Sequence, residues 1–377
     1  MMMAGPLQGV TVIEMAGLGP APFAGMVLAD MGAEVICIDR PAKAGSADSS
    51  RSTEIARRGK KSVALDLKQP ASIEAVLKLL ESADVLLEGF RPGVMERLGL
   101  SPEICLRQNP KLVYGRMTGW GQFGPLSHAA GHDMNYIALS GALHAIGTKE
   151  APVVPLNLVG DFGGGGMFLV SGVLAGIIQA RTSGRGQVVD VAMTDGSALL
   201  MSMMYGMMAA GQWKDQRASN MLDGGAHFYG TYRCADDKWV AIGSIEPQFY
   251  ALLVEKSGIG QIDMTSQRDP STWSDMRKRF EHIFAQRTRA QWCEIMEGTD
   301  VCFAPVMGMT EAANHPHNQA RKTFCEIDGV LQPSPAPRFS VTESEVAHGP
   351  VRIGSDTTKV LSQLGLSGEQ IRAISGA

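Results

Sequence analysis

The first 120 residues alternate short apolar, β-branched runs with segments of helical spacing, and this alternation constrains the fold more than any other feature. Helical spacing predicts helices over 22–31 and 72–82. Strands are predicted over 9–14, 34–39, 62–67, 84–88 and 112–117. Such alternation is typical of an α/β fold, in which helices cover a mostly parallel sheet. Ligands of these folds bind beyond the carboxyl ends of the strands.

The length of the chain and the change in its residue pattern after position 224 predict two domains. A chain of 377 residues is longer than one ordinary compact domain. After residue 224 the sequence changes to two strand-like runs followed by charged helices. We therefore predict a large domain over 1–200 with 335–377 returning to it, a linker over 201–224, and a smaller domain over 225–334.

Three further elements are predicted in the second half of the large domain and beyond. Residues 187–192 have the pattern of a strand, and the methionine-rich segment 196–211 that of one long helix. We interpret these methionines as flexible core filler rather than as part of a cofactor site. The tail from about residue 349 is predicted to be a helix that returns to the large domain.

Charge and cysteine usage exclude several classes of function. The formal net charge is -4 and no long basic block occurs, so nothing indicates binding to nucleic acid or to an anionic membrane. The six cysteines are scattered without a CxxC pair, which argues against a disulfide framework or a zinc site. No signal-peptide pattern is present, and the longest apolar stretch falls short of the roughly 20 residues that span a bilayer. We expect a soluble, cytoplasmic protein with reduced thiols and no membrane partner.

Glycines and cations follow several predicted strands. The motif GLGPAP at 17–22 is half of a dinucleotide fingerprint, but Pro22 replaces the third glycine and offers no backbone N–H to a pyrophosphate. We interpret it as a tight turn rather than a nicotinamide site. Arg40 and the run RRGKK at 57–61 could hold phosphates, although a solvated charged face explains them equally well. Arg97 lies near another strand end, where it could also face a ligand.

His132 stands in the segment AGHDMNYIALSGALHAIG, at the start of a helix predicted over 131–146. The positive end of a helix favours a neutral imidazole, which can act as a base near pH 7. A lone histidine is more often a satisfied structural residue, so its position by itself leaves both roles open.

Asp161 stands in the segment PLNLVGDFGGGGMF, ahead of an apolar helix predicted over 167–181. An aspartate before a helix is commonly its N-cap, so this position also leaves a structural role open. The four glycines at 163–166 are costly at the start of a helix. Their cost favours a second use, which is a close approach of the backbone to a ligand.

These two segments, together with VIEMAGLGPAPFAGMVLADMGAEVICIDRP, EGFRPGVMERLGL, YGRMTGWGQFGP, SIEPQFY and HPHNQARKTF, resemble the α-methylacyl-CoA racemases of the class III CoA-transferase (CaiB/BaiF) superfamily. The resemblance spans nearly the whole chain. It implies a Rossmann-like large domain plus a smaller α+β domain, in a ring-shaped subunit that interlocks with a second copy as a homodimer. It also implies an active site between domains of different subunits.

The resemblance assigns roles to individual residues. His132 and Asp161 match the two catalytic bases, and Glu246 of SIEPQFY matches the acidic partner of the histidine. Positions that hold the CoA moiety or the thioester correspond to Arg40, Leu65, Asp66, Leu67, Lys68, Glu88, Gly89, Phe90, Arg97, Gly131, Asp133, Tyr136 and Asn157. Because CoA is part of the substrate, no separate cofactor is expected. No metal is expected either, since His315 and His317 lack nearby cysteine or carboxylate partners in sequence.

The implied reaction inverts the α-carbon of a 2-methylacyl-CoA by moving one proton through an enolate, with a base on each face of the planar intermediate. Backbone N–H groups near His132 and Asp133 are expected to stabilise the enolate oxygen. The alternative is a CoA-transferase, in which Asp161 is a nucleophile that forms an acyl anhydride. Such transferases typically lack a histidine like His132, which favours the racemase. A catalytically idle acyl-CoA-binding protein would not explain both titratable groups in glycine-rich loops.

Overall fold

The structure is a computed structural model that describes residues 5–41 and 53–375. The chain forms two compact units. The first unit contains Met1–Ser140, Leu156–Leu200 and Lys322–Ala377, and the second contains Gly141–Pro155 and Met201–Arg321. The segment 201–224, expected to be a linker, belongs to the second unit. The short excursion of residues 141–155 into that unit has no counterpart in the sequence-based boundaries.

In the described part of the first unit, six strands form one parallel sheet. They are β1 Thr11–Met15, β2 Glu34–Asp39, β3 Lys60–Ala64, β4 Val85–Glu88, β5 Val113–Thr118 and β6 Gln187–Ala192. The order β3-β2-β1-β4-β5-β6 confirms the predicted parallel α/β arrangement and is that of a doubly wound sheet. Since the order reverses between β1 and β4, a crevice is expected beyond the carboxyl ends of these two strands.

Helices cover both faces of this sheet. The described α-helices are α1 Pro20–Asp30, α2 Pro70–Leu80, α3 Val94–Arg97, α4 Pro102–Gln108, α5 Asp133–Leu139, α6 Ala142–Ala145, α7 Met167–Ser183, α8 Met193–Leu200, α9 Ser202–Ala209, α10 Pro247–Ser257, α11 Trp273–Phe284, α12 Arg289–Met296, α13 Met309–Ala312, α14 Pro316–Ala320, α15 Thr357–Gln363 and α16 Gly368–Ser375. Helices α1 and α7 pack on one face of the sheet, and α2, α15 and α16 on the other. The tail packs on the first unit as two helices, α15 and α16, rather than as the single helix expected.

A π-helical segment, Leu158–Gly166, runs directly into α7. Together they form a stretch, Leu158–Ser183, that is long and apolar enough to cross a membrane by length and composition alone. Leu169, Val173 and Ile177 of this stretch pack in the core under the sheet. Part of the stretch therefore packs in the core of the first unit, while Ile178 is exposed.

The second unit contains a three-stranded antiparallel sheet made of β7 Tyr229–Arg233, β8 Trp239–Gly243 and β9 Phe303–Val306. This confirms the two strand-like runs predicted there. Aromatic side chains of β7, α11 and α12 fill its core, among them Phe280, Phe284 and Trp292. The hairpin of β10 Phe324–Ile327 and β11 Val330–Pro333 belongs to the first unit.

The methionine-rich segment differs from its prediction. The single helix expected over 196–211 is divided into α8 and α9 at Met201. Helix α9 contains no buried residue, and Met203 and Met208 are exposed. The interpretation of these methionines as core filler is therefore wrong, because periodic apolar residues do not reveal whether another element covers them.

Two of the cations at 57–61, Arg58 and Lys60, contradict both interpretations, because they neither form a solvated charged face nor remain free for a phosphate. Arg58 is buried and its guanidinium binds Asp30 at 2.6 Å and Gln332 at 2.9 Å. Lys60 is buried as well, 2.6 Å from Glu14. Phosphate binding by these two residues is excluded, since each neutralises a buried carboxylate of the fold.

Candidate active site

A cavity of about 300 Å³ lies at the carboxyl ends of β1, β4 and β5, within the first unit. Gly19 from the loop after β1, Phe90 from the loop after β4 and Trp120 from the loop after β5 contribute to its wall. His132 and Asp161 line the same cavity. The two titratable residues singled out by the sequence are thus brought together at the point where the strand order reverses.

Asp161 lies inside the π-helical segment rather than at a helix N-cap, and Asn157 occupies the position before that segment. The Asp161 carboxylate is half-buried. The side-chain amide of Asn157 donates a hydrogen bond to its Oδ2 atom at 3.2 Å. Burial raises the pKa of Asp161 above its ordinary value of 3.8, and the nearby charge of Asp133 adds to the rise. The Asn157 hydrogen bond and His132 act in the opposite direction on this pKa. The net effect favours a carboxyl group that can exchange protons at a higher pH than usual.

The glycine run after Asp161 explains the shape of this segment. A Cβ atom on Gly164 would lie 2.6 Å from the backbone nitrogen of Ser197, and one on Gly196 would lie 1.8 Å from the carbonyl oxygen of Gly164. A Cβ atom on Gly166 would lie 2.6 Å from the ring of Phe23. The expected use of these glycines for approach to a ligand is therefore wrong, because they admit close packing against α8 and α1.

His132 occupies the N-cap position of α5 in extended conformation, and its side chain is exposed at the cavity. Its backbone N–H donates to Oδ1 of Asn135 at 3.0 Å. The loop that precedes it is held by Tyr136, whose hydroxyl donates to the carbonyl of Gly131. A Cβ atom on Gly119 would lie 2.0 Å from the Tyr136 ring, so the ring packs directly against the backbone there. Tyr136 and Gly131 thus set the position of the imidazole.

Two of the predicted substrate contacts have buried side chains that hold the site together. The carboxylate of Asp133 accepts the backbone N–H of Asp161 at 2.6 Å. Glu88 accepts from Arg116 at 2.8 Å and from the backbone N–H of Phe90 at 2.7 Å. Neither carboxylate lines the cavity, whereas Gly89, Phe90, Gly131 and Tyr136 do. Burial is the largest influence on Glu88 and raises its pKa.

The remaining predicted contacts follow β2 and β3 or lie in α3, and they are not part of the cavity lining. Arg40, Lys68 and Arg97 are exposed, which leaves their cations accessible. Leu65 is fully buried in the core, and Leu67 packs partly against it. Asp66 accepts the backbone N–H of Lys68 at 3.1 Å, so it fixes the turn after β3.

Glu246 lies in the second unit, exposed at the N-cap position of α10. It neighbours Cys302, whose thiol pKa is raised by burial and further by the Glu246 carboxylate. In the same unit, Nε2 of His315 lies 2.7 Å from Glu297, so the expectation that His315 lacks a carboxylate partner is wrong, because Glu297 is distant in sequence and near only in the fold. Within residues 5–41 and 53–375, no group of three or more potential ligand side chains could hold a metal ion.

The loop GLGPAP contributes to the cavity in a way that the sequence-based interpretation missed. Its reading as a tight turn is confirmed, because Gly19 has φ 74 and is the N-cap of α1. A Cβ atom on Gly19 would lie 3.4 Å from Oδ2 of Asp161, so the turn forms a wall beside the carboxylate. The available signal was its position directly after the central strand β1.

Known proteins provide an independent comparison. The chain matches the model of CoA-transferase family III over residues 7–357. It is 45% identical to alpha-methylacyl-CoA racemase of Mus musculus over 369 residues, covering 97% of this chain and 95% of that protein. The human alpha-methylacyl-CoA racemase is 44% identical over 370 residues, with 97% and 95% covered. The crystal structure of a CAIB/BAIF family protein from Brucella suis matches with a TM-score of 0.80 at 21% identity, covering 96% of this chain and 100% of that chain.

The fold and the cavity define an α/β protein with a cavity at the switch point of a doubly wound sheet, where such folds bind their ligands. The Brucella suis structure establishes the same fold. The chain belongs to CoA-transferase family III, which confirms the resemblance found in its motifs.

Proposed function

We propose that this chain is an α-methylacyl-CoA racemase that interconverts (2R)- and (2S)-2-methylacyl-CoA by 1,1-proton transfer. The observation that carries the proposal is the shared cavity of His132 and Asp161 at the switch point of the sheet. An imidazole and a carboxyl group at one cavity supply the two proton carriers that inversion of a carbon requires. The racemase names of the mouse and human relatives support the same activity.

The proposed reaction passes through an enolate. One of the two residues removes the α-proton from one face, and the other returns a proton to the opposite face, with the roles exchanged in the reverse direction. Burial raises the pKa of Asp161, which brings the carboxyl closer to the pH at which it must both accept and donate. The enolate oxygen needs hydrogen-bond donors, each worth about 3 to 4 kcal/mol of barrier. The backbone N–H of Asp133 is proposed as one of these donors, since that of His132 already donates to Asn135.

The substrate is proposed to be an acyl-CoA thioester that needs no separate cofactor and no metal. The exposed cations Arg40, Lys68 and Arg97 suit the phosphates of CoA, because they follow strands of the sheet or lie in the short helix after β4. Phe90 and Gly131 line the cavity where the thioester would react. The role of Glu246 as acidic partner of His132 remains a prediction. It is tested by the rate of racemisation in Glu246→Gln, which should fall.

A homodimer of interlocked, ring-shaped subunits in the cytoplasm is part of the proposal. It is supported by large apolar side chains exposed on the first unit, including Leu139, Ile178 and Leu199, which are 62%, 68% and 60% exposed. The six cysteines are free, as expected for a reducing compartment. Light scattering of the protein and of Leu199→Lys tests the dimer, and a monomeric wild-type protein would contradict it.

The activity is tested by incubating one enantiomer of a 2-methylacyl-CoA in deuterated water and following both deuterium uptake and chirality. We expect Asp161→Ala to abolish racemisation and His132→Ala to impair it strongly. Matched controls are Asp275→Ala and His317→Ala, which change exposed side chains of the second unit. Normal exchange and racemisation of both enantiomers by Asp161→Ala would exclude the two-base scheme.

The transferase alternative gives different results in the same variants. A transferase would continue to pass CoA between acids in His132→Ala, and hydroxylamine would trap an acyl group on Asp161. A protein that binds acyl-CoA but carries out neither reaction would be a binding protein only.

A further inference from the structure

Asp133 is a buried carboxylate in contact with the segment that carries Asp161. It is the first residue of α5, only 6% exposed, and its Oδ2 accepts the Asp161 backbone N–H at 2.6 Å. A Cβ atom on Gly160 would lie 2.6 Å from the same oxygen. Because Gly160 has no side chain, the Asp133 carboxylate can approach the backbone N–H of Asp161.

The second oxygen of this carboxylate points to a role beyond one hydrogen bond. Oδ1 of Asp133 is buried and has no hydrogen-bond partner among the described residues. An unsatisfied buried acceptor costs about 1 to 3 kcal/mol, more when it is charged. An asparagine could accept the same N–H without burying a charge. A carboxylate at this position is thus explained if its negative charge is used.

We propose that Asp133 is a positioning residue for proton transfer, which fixes the backbone of Asp161 and, through its negative charge, stabilises the protonated form of the Asp161 carboxyl. The inference rests on the proposed role of Asp161 as a proton carrier. In this inference the Asp133 side chain acts on Asp161, whereas the family resemblance implied that Asp133 contacts the substrate.

The charges around Asp161 are few enough for this effect to be measured. Among the described groups, burial is the largest influence on the Asp161 pKa, Asp133 raises it, and His132 and the Asn157 amide lower it. Burial raises the pKa of the Tyr136 hydroxyl, and the nearby charge of Asp161 adds to the rise. The closest atoms of α8 and α1 to the glycines of this segment are the backbones of Gly196 and Ser197 and the ring of Phe23, which are uncharged. The cation of Arg91 lines the same cavity.

Two substitutions separate the geometric effect from the electrostatic one. Asp133→Asn retains an acceptor for the Asp161 N–H but removes the charge, whereas Asp133→Ala removes both. We expect Asp133→Ala to lower kcat by about 100-fold with little change in KM, since a misplacement of about 1 Å has this effect. Asp133→Asn should retain most of the plateau rate, while the acidic limb of its pH–rate profile moves to lower pH, because the charge of Asp133 that raises the Asp161 pKa is removed. Asp275→Asn is the matched control and should leave the profile unchanged.

The outcomes distinguish this inference from the proposed function. An active Asp161→Ala overturns the proposed function, and with it the inference. If Asp161→Ala is inactive while Asp133→Asn has the wild-type profile, the charge of Asp133 is not used and the inference alone is overturned. Should Asp133→Ala fail to fold, as judged by its melting temperature, the position of the acidic limb in Asp133→Asn still decides the question.

Discussion

The contact between α8 and the segment that carries Asp161 gives the sharpest test of how the fold serves the site. A Cβ atom introduced by Gly196→Ala would lie 1.8 Å from the carbonyl oxygen and 2.6 Å from the carbonyl carbon of Gly164. Ordinary contact distances are about 3.5 Å, so the two backbones must separate by roughly 1.5 Å. Over-packing of this kind typically costs about 1 to 3 kcal/mol of stability. Because Asp161 lies one helical turn from Gly164, its carboxylate should move with the segment.

A displacement of about 1 Å at a reacting group can lower a rate by about 100-fold. We therefore expect Gly196→Ala to reduce deuterium exchange at the α-carbon by at least that factor while the protein still folds. The matched control is Gly206→Ala in α9, where an added Cβ meets nothing within 4 Å. That change should stabilise the protein by roughly 0.5 to 1 kcal/mol and leave exchange unaltered. A wild-type exchange rate and melting temperature in Gly196→Ala would refute the reasoning.

Two further predictions concern the stability of each unit. Arg58→Met should lower the free energy of unfolding in urea by about 3 to 5 kcal/mol, because it leaves the Asp30 carboxylate buried without its cation. The double variant Asp30→Asn, Arg58→Met should recover part of this loss. An unchanged urea midpoint of unfolding in Arg58→Met alone would contradict the buried ion pair. Burial lowers the pKa of His227 to about 4 from 6.5. The unfolded chain therefore binds a proton that the folded chain does not, and stability should fall by about 3 kcal/mol as the pH decreases from 6.5 to 4. His227→Gln should show a correspondingly smaller decrease, and an equally steep decrease in this variant would disprove the assignment.

The sequence predicts the sheet well, because most of its strands are short, largely buried runs rich in β-branched and apolar residues. The strands at Glu34–Asp39 and Gln187–Ala192 have the predicted bounds, and the other strands of the sheet differ by a few residues at their ends. Helix starts are also locally encoded, since Pro20, Pro70 and Pro102 each occupy a first helical turn. Local rules succeed here because each signal lies within the element that it specifies.

The candidate site is predictable in its residues but not in its internal contacts. His132 and Asp161 were found from their glycine-rich segments and from the family motifs. The same motifs placed Asp133 and Glu88 among the substrate contacts, whereas their buried carboxylates bind the backbone of Asp161 and the Arg116 side chain. A motif records which residues belong to a site, but it does not say which of them face the ligand.

By itself, the sequence determined the α/β class of this protein, most of its strands and the two titratable residues, His132 and Asp161, that line the cavity. Only the tertiary structure decided that Arg58 and Lys60 are buried counterions, that the glycines at 163–166 serve helix packing, and that Asp133 holds Asp161. The physical reason is that burial and pairing depend on partners remote in the chain, as in the hydrogen bond from Arg58 to Gln332 across 274 positions. Local periodicity and propensity contain no information about such partners until the chain has folded.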